Sequence, residues 1–198
     1  MFVTFEGPEG GGKSTLIQSL AAGLQGQNRE VVVTREPGAG PVGASIREIL
    51  LHGDHLDPKA ELFLFLADRA QHVSGLIRPA LERGAWVLCD RHADSTVVYQ
   101  GYGRGLDLDQ LRAWNRFATG GLVPDVTFLL DLDPSAGLAR IAAKDRLDAE
   151  PLEFHRRIRN GFLSEARLDP TRWVVLDASR PAAEVLLAAE SALKNRAG

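Results

Sequence analysis

The stretch Gly7-Pro8-Glu9-Gly10-Gly11-Gly12-Lys13-Ser14 constrains this chain more than any other. It fits G-x-x-x-x-G-K-[ST], a loop that wraps phosphate groups. The run before it, Met1 to Phe5, is short, apolar and β-favouring, and reads as a strand. After it, Leu16, Ile17, Leu20 and Leu24 recur at helical spacing, so a helix is expected to begin near Lys13. Strand, glycine loop and helix is the order that the motif requires. The glycines let the backbone turn tightly and approach an anion, and the N–H groups then point at phosphate oxygens at the positive end of a helix. Lys13 supplies a full charge for the β- and γ-phosphates, and the Ser14 hydroxyl is placed to ligate Mg²⁺. With Thr15 beside it, this stretch is the candidate nucleoside triphosphate site.

At 198 residues the chain is read as one domain, with a short lid at about 140–150. Its composition, 44% hydrophobic and 25% charged, is that of an ordinary globular protein. A net charge of −3 gives no sign of a nucleic-acid binder or a polybasic membrane surface. No apolar run is long enough to span a bilayer, and a strand at the N-terminus leaves no expected signal peptide. The single cysteine, Cys89, rules out an intrachain disulfide, fits a reducing cytoplasm and sits in an apolar run that implies a buried thiol.

Further strands are expected at 30–34, 85–90, 125–131 and 173–177. Helices are expected around Ile46 to Leu50, from Pro58 to about Arg83 with a kink or break at Pro79, at 107–119, at 134–143, at 151–168 and at 184–194. Asp94 to Gly105 reads as a polar, glycine-containing segment. Short apolar strands alternating with helices imply an α/β fold, a five-stranded parallel sheet with helices on both faces. Ligands of such sheets bind at the C-terminal strand ends, where Arg35, Asp90, Asp131 and Asp177 are expected to gather. Asp90 ends an apolar strand, as does the acid that assists Mg²⁺ in loop proteins of this kind, so Ser14 and Asp90 are the candidate metal ligands. Arg35, Arg47, Arg69 and Arg91 are candidate clamps for an acceptor phosphate, because arginine grips phosphate bidentately. Arg35 and Arg91 stand where strands open onto the binding edge.

Several ordered segments together resemble bacterial thymidylate kinases along essentially the whole chain. They are Phe5-Glu6-Gly7-Pro8-Glu9-Gly10, Thr34-Arg35-Glu36-Pro37-Gly38, Leu64-Phe65-Leu66-Ala67-Asp68-Arg69, Asp90-Arg91-His92, Ser95 to Gly101, Pro124-Asp125 and Asp177-Ala178. The resemblance implies a nucleoside-monophosphate-kinase fold, Mg²⁺-dependent transfer of the γ-phosphoryl of ATP to dTMP, and a homodimer. It implies that Phe65 stacks on the thymine ring, that Arg69 bonds a thymine carbonyl, and that Thr96 and Gln100 approach the polar edge of the base. It places Tyr99 against the sugar, where it disfavours a 2′-hydroxyl, and Glu9 near that sugar. Arg35 and Arg91 would hold the acceptor phosphate. Read without the resemblance, Phe65 is a core residue.

Two departures stand out. The tyrosine usual after Asp-Arg is His92 here, read as a packing change rather than a catalytic histidine. The lid is short, Ala142 to Asp148; Arg146 matches the family's end-of-lid pair and is the first choice for a lid cation, with Arg140 and Lys144 open and Arg157 behind them. That segment has no apolar run to anchor it and is expected to be mobile. A kinase for another nucleoside monophosphate or a deoxynucleoside remains an alternative. A nucleotide switch is disfavoured, since no guanine-reading Asn-Lys-x-Asp is present.

Overall fold

The computed structural model describes residues 1–142 and 145–197. Strands β1 (Phe2–Glu6), β2 (Val31–Arg35), β3 (Trp86–Asp90), β4 (Val126–Asp131) and β5 (Trp173–Asp177) form one parallel sheet in the order β2-β3-β1-β4-β5. Its central strands are apolar on both faces because helices cover both. On one face Val3, Phe5, Leu88 and Phe128 pack against α1 (Lys13–Gly26) and α9 (Ala182–Ala197). On the other, Phe2, Val87 and the buried Cys89 pack against Val73 and Ile77. β1 leads to one side of the sheet and its neighbour β3 to the other, so a crevice opens where their C-terminal ends part.

The helix expected from Pro58 is in three parts: α3 (Pro58–His72), a π-helical turn (Val73–Ile77) and α4 (Arg78–Glu82). Pro79 therefore sits in the first turn of α4, and the widened turn before it accommodates a ring that an unbroken α-helix would force against a carbonyl. The expected helix near Ile46 is longer, α2 (Gly40–His52).

Two expectations are corrected. The polar segment 94–105, where no helix was expected, is largely helical: α5 (Ala93–Thr96) runs into a second π-helical stretch, Val97–Gly103. Its glycines serve packing, for a Cβ at Gly103 would stand 2.7 Å from the Phe154 ring. The helix expected at 134–143 is only α7 (Pro134–Leu138), after which the chain continues in single turns to Ala142. Ala143 and Lys144, the latter a candidate lid cation, lie outside the described residues. Helices α6 (Leu108–Thr119) and α8 (Leu152–Leu168) follow their expected bounds closely.

Candidate active site

The loop between β1 and α1 is held open by its glycines. Gly7 and Gly10 adopt φ of 130° and 69°. A side chain at Gly10 would run into the carbonyl oxygen of Gly137, so α7 packs directly on the loop. Lys13 is buried and donates from Nζ to the carbonyls of Gly7 (3.2 Å) and Pro8 (2.9 Å). Burial and the nearby Arg91 lower its pKa, although Glu9 and Asp90 oppose this. The Ser14 hydroxyl lies 3.4 Å from Asp90 Oδ2, while Asp90 Oδ1 is buried without a hydrogen-bond partner among the described residues. A hydroxyl and a carboxylate with an uncommitted oxygen suit a hard divalent cation.

A cleft of about 340 Å³ joins this loop to the ends of β2 and β3. Across it stands Arg91, a non-glycine residue with φ of 67°. That left-handed backbone costs on the order of 1–3 kcal/mol. It is held by the bond from Arg91 N to the Phe5 carbonyl (3.0 Å) and from His92 N to Glu6 (2.8 Å). The guanidinium pairs with Glu9, donates to Ser95 Oγ at 3.2 Å and lies 5.1 Å from the centre of the Tyr99 ring. Tyr99 donates to the same Glu9 oxygen at 3.0 Å. Burial would raise the Glu9 pKa, but Arg91 and Lys13 outweigh it and bring it to about 2. Arg35 is exposed at the rim, and burial together with Arg35 pushes the Arg47 pKa down. These paired arginines lack a carboxylate of their own among the described residues, which leaves the rim ready for an anion.

Two buried carboxylates organise the floor. Glu36 accepts from Arg69 Nε (2.8 Å), His72 Nδ1 (2.8 Å) and His92 Nδ1 (2.9 Å). Burial opposes its ionisation, yet His92 and Arg69 hold its pKa well below the ordinary range. His92 is thus a fully buried support packed edge-on to Phe2, as its packing reading expects. Arg69 also donates to Thr96 Oγ1 (2.8 Å), Asn115 Oδ1 (2.7 Å) and the His92 carbonyl (3.0 Å), so one of its N–H groups, on Nη2, remains uncommitted among the described residues. Glu61 accepts from Gln100 Nε2 (2.8 Å), Arg104 and Arg146 (2.6 Å).

A model of the thymidylate kinase family matches residues 5–188. The chain belongs to the thymidylate kinase family. It is 51% identical to the thymidylate kinase of Desulfovibrio desulfuricans, over 98% of this chain and 95% of that protein. It is 54% identical to that of Thermomicrobium roseum, over 91% and 88% of the two. The crystal structure of the Ehrlichia chaffeensis thymidylate kinase superposes with a TM-score of 0.82 at 35% identity, covering 98% of each chain. This chain is accordingly an enzyme that phosphorylates dTMP to dTDP with ATP as the donor.

Most of the residues expected at the site line one cleft: the loop from Glu9 to Thr15, and Arg35, Arg47, Phe65, Arg69, Asp90, Arg91, Thr96, Tyr99 and Gln100. Phe65 does so while packing on Ile46, Leu50 and Leu51, so it is a core residue that also borders the cleft. Three expectations are corrected. Asp131 and Asp177 do not join the cleft: Asp131 is gripped by Arg159 at 2.6 and 2.9 Å, and Asp177 caps the turn at Ser179 and Arg180. Arg146 does not reach the loop, because Glu61 and the Leu50 carbonyl (2.9 Å) hold it on the far wall. The segment from Asp145 to Asp148 has an apolar anchor where none was expected, since Leu147 packs into two apolar clusters and Asp145 caps the backbone of Leu147 and Asp148. Arg140 instead donates to the Gly10 carbonyl at 3.1 Å. Arg157 is exposed and stacks on Phe154. The sequence alone assigned no role to Glu36, Glu61 or Gly137.

Proposed function

We propose that ATP lies on the loop from Gly7 to Thr15 and dTMP on the Phe65, Arg69 and Gln100 wall, with the acceptor phosphate between Arg35, Arg47 and Arg91. The observation that carries this reading is that the loop and the acceptor-side arginines share one continuous cleft. Ser14 and Asp90 would hold Mg²⁺, which would supply positive charge to the donor phosphates. Lys13 leaves the loop carbonyls to meet those same phosphates. An acceptor phosphate oxygen forms the new bond to the γ-phosphorus as the bond to the β-bridging oxygen breaks and ADP departs. The chain's part is alignment and charge compensation, with water kept out.

Tyr99, buried against Phe154 and fixed by Glu9, stands where it blocks a ribose 2′-hydroxyl. Tyr99→Phe is expected to keep the preference for deoxyribonucleotides, and Tyr99→Ala to relax it by about tenfold, in kcat/KM for dTMP against its ribo counterpart. An unchanged preference in the alanine variant would remove Tyr99 from the sugar site.

The segment 140–150 acts as the lid, and Arg140, already at the loop, is its cation. Loss of a contact completed only at closure lowers kcat more than ATP affinity. Arg140→Ala is expected to lose about tenfold or more in kcat with ATP binding kept, whereas Arg146→Ala lowers the melting temperature. Parental turnover in Arg140→Ala would move the lid cation elsewhere.

The enzyme works as a cytoplasmic homodimer through α3 and α6. Their outer faces present Phe63 and Trp114 with ring centroids 5.8 Å apart, beside a Phe117 that is 89% exposed. Phe117→Glu is expected to sediment as a monomer; a persisting dimer would place the contact on another face.

A further inference from the structure

Glu61 is almost fully buried in α3, and its carboxylate is surrounded by donors. Gln100 Nε2 and Arg104 Nε bond Oε1, at 2.8 and 3.4 Å; Arg146 Nη2 and Arg104 Nη2 bond Oε2, at 2.6 and 3.4 Å. Burial would raise its pKa, but Arg146, Gln100 and Arg104 outweigh that and keep it ionised. An ionised carboxylate only accepts. The Gln100 amide must therefore turn its NH₂ to Glu61, which sends its carbonyl oxygen the other way. That oxygen accepts no hydrogen bond from the described residues, and Gln100 lines the acceptor cleft. Nearby, Arg69 also lines the cleft and keeps one N–H uncommitted.

We propose that Glu61 is a specificity-determining positioning residue, which sets the Gln100 amide so that the cleft offers the acceptor base a carbonyl oxygen rather than an NH₂. A donor from Arg69 beside an acceptor from Gln100 matches a base edge with a carbonyl next to a ring N–H. Thymine and uracil carry that edge at O4 and N3–H. Cytosine reverses both groups, with an amino group at C4 and a bare N3. The device therefore selects the lactam form of the pyrimidine and says nothing of the 5-methyl group. It rests on the placement of the base proposed above.

Glu61→Gln tests it. In that variant the arginines claim the new amide oxygen, because they can only donate. The new NH₂ then faces Gln100, which answers with its own oxygen and turns its NH₂ into the cleft. The readout is the dissociation constant for dCMP divided by that for dTMP, both measured by calorimetry on the folded enzyme. Damage to packing weakens both ligands and leaves the ratio alone, whereas a turned amide lowers it, by about tenfold or more for one exchanged hydrogen bond. Gln100→Leu is measured beside it. A fall in the ratio in both variants supports the proposal. A fall in Gln100→Leu alone overturns the role of Glu61 and leaves the base site standing. No fall in Gln100→Leu overturns both. If Glu61→Gln does not fold, Glu61→Asp keeps the countercharge and draws it one methylene back from Gln100; an unchanged ratio there overturns the proposal, and a lowered one supports it.

Discussion

Lys13→Ala is expected to lower kcat for dTMP by on the order of a hundredfold or more, with the fold intact. The transferring phosphoryl group spreads negative charge over its oxygens, and Lys13 is the one side-chain cation built into the loop itself. Here its ammonium rests on the Gly7 and Pro8 carbonyls, partners that a triphosphate would replace with stronger, charged acceptors. Burial already lowers its pKa, so the charge is costly to keep in place and is retained beside Glu9 and Asp90. Removing it relieves that desolvation and leaves two carbonyls at the edge of an open cleft. The melting temperature should therefore change little. A coupled ATP-to-ADP assay and a thermal melt read the two effects separately. Near-parental turnover by a folded variant would show that the loop does not bind the transferring phosphates.

The sheet was legible because each strand is an apolar run ended by a charge or turn, and parallel strands buried on both faces leave that trace. The loop was legible because its glycine spacing is set by backbone geometry rather than by distant partners. The carboxylate hubs were not, because their partners are far off in sequence: Glu61 meets Gln100 and Arg146, and Glu36 meets His72 and His92. One signal was available. Glu61, Phe65, Asp68, Arg69 and His72 lie on a single face of α3, and all are buried. A polar stripe of that kind beside Leu62 and Leu66 resembles a solvated face until a cleft is known to run along it. The same limit explains the lid. Arg146 matched a family pair in sequence, but an ion pair 85 residues away fixes where it points. Helix 93–103 was not legible for a different reason: its Gly101 and Gly103 lower helix propensity, and they are there to make room for Leu108 and Phe154.

Arg91→Ala is expected to lower turnover by on the order of a hundredfold or more and to raise the KM for dTMP, while ATP affinity survives. The guanidinium is placed before any substrate arrives. Its backbone is held left-handed at φ 67°, its side chain lies along Tyr99, and it is tied to both Glu9 and Ser95. In the proposed site, an acceptor phosphate between Arg35 and Arg91 would meet a fork that needs little reorganisation, the condition under which electrostatic stabilisation of a transition state is strongest. Arg91→Lys should recover only part of the loss, because one ammonium cannot hold Glu9 and Ser95 and also present two parallel N–H groups. Alanine keeps a Cβ at the strained position, so a thermal melt must accompany the kinetics. Glu9 provides an independent check. Its pKa of about 2 lies below the usual carboxylate value, so its pairing stabilises the fold above that usual value and is lost as pH falls toward 2. Without Arg91 that pKa rises and the variant loses this increment, which narrows the stability difference from the parent in acid. If ATP affinity fell as far as dTMP use, Arg91 would belong to the donor side, and the acceptor phosphate would rest on Arg35 and Arg47 alone.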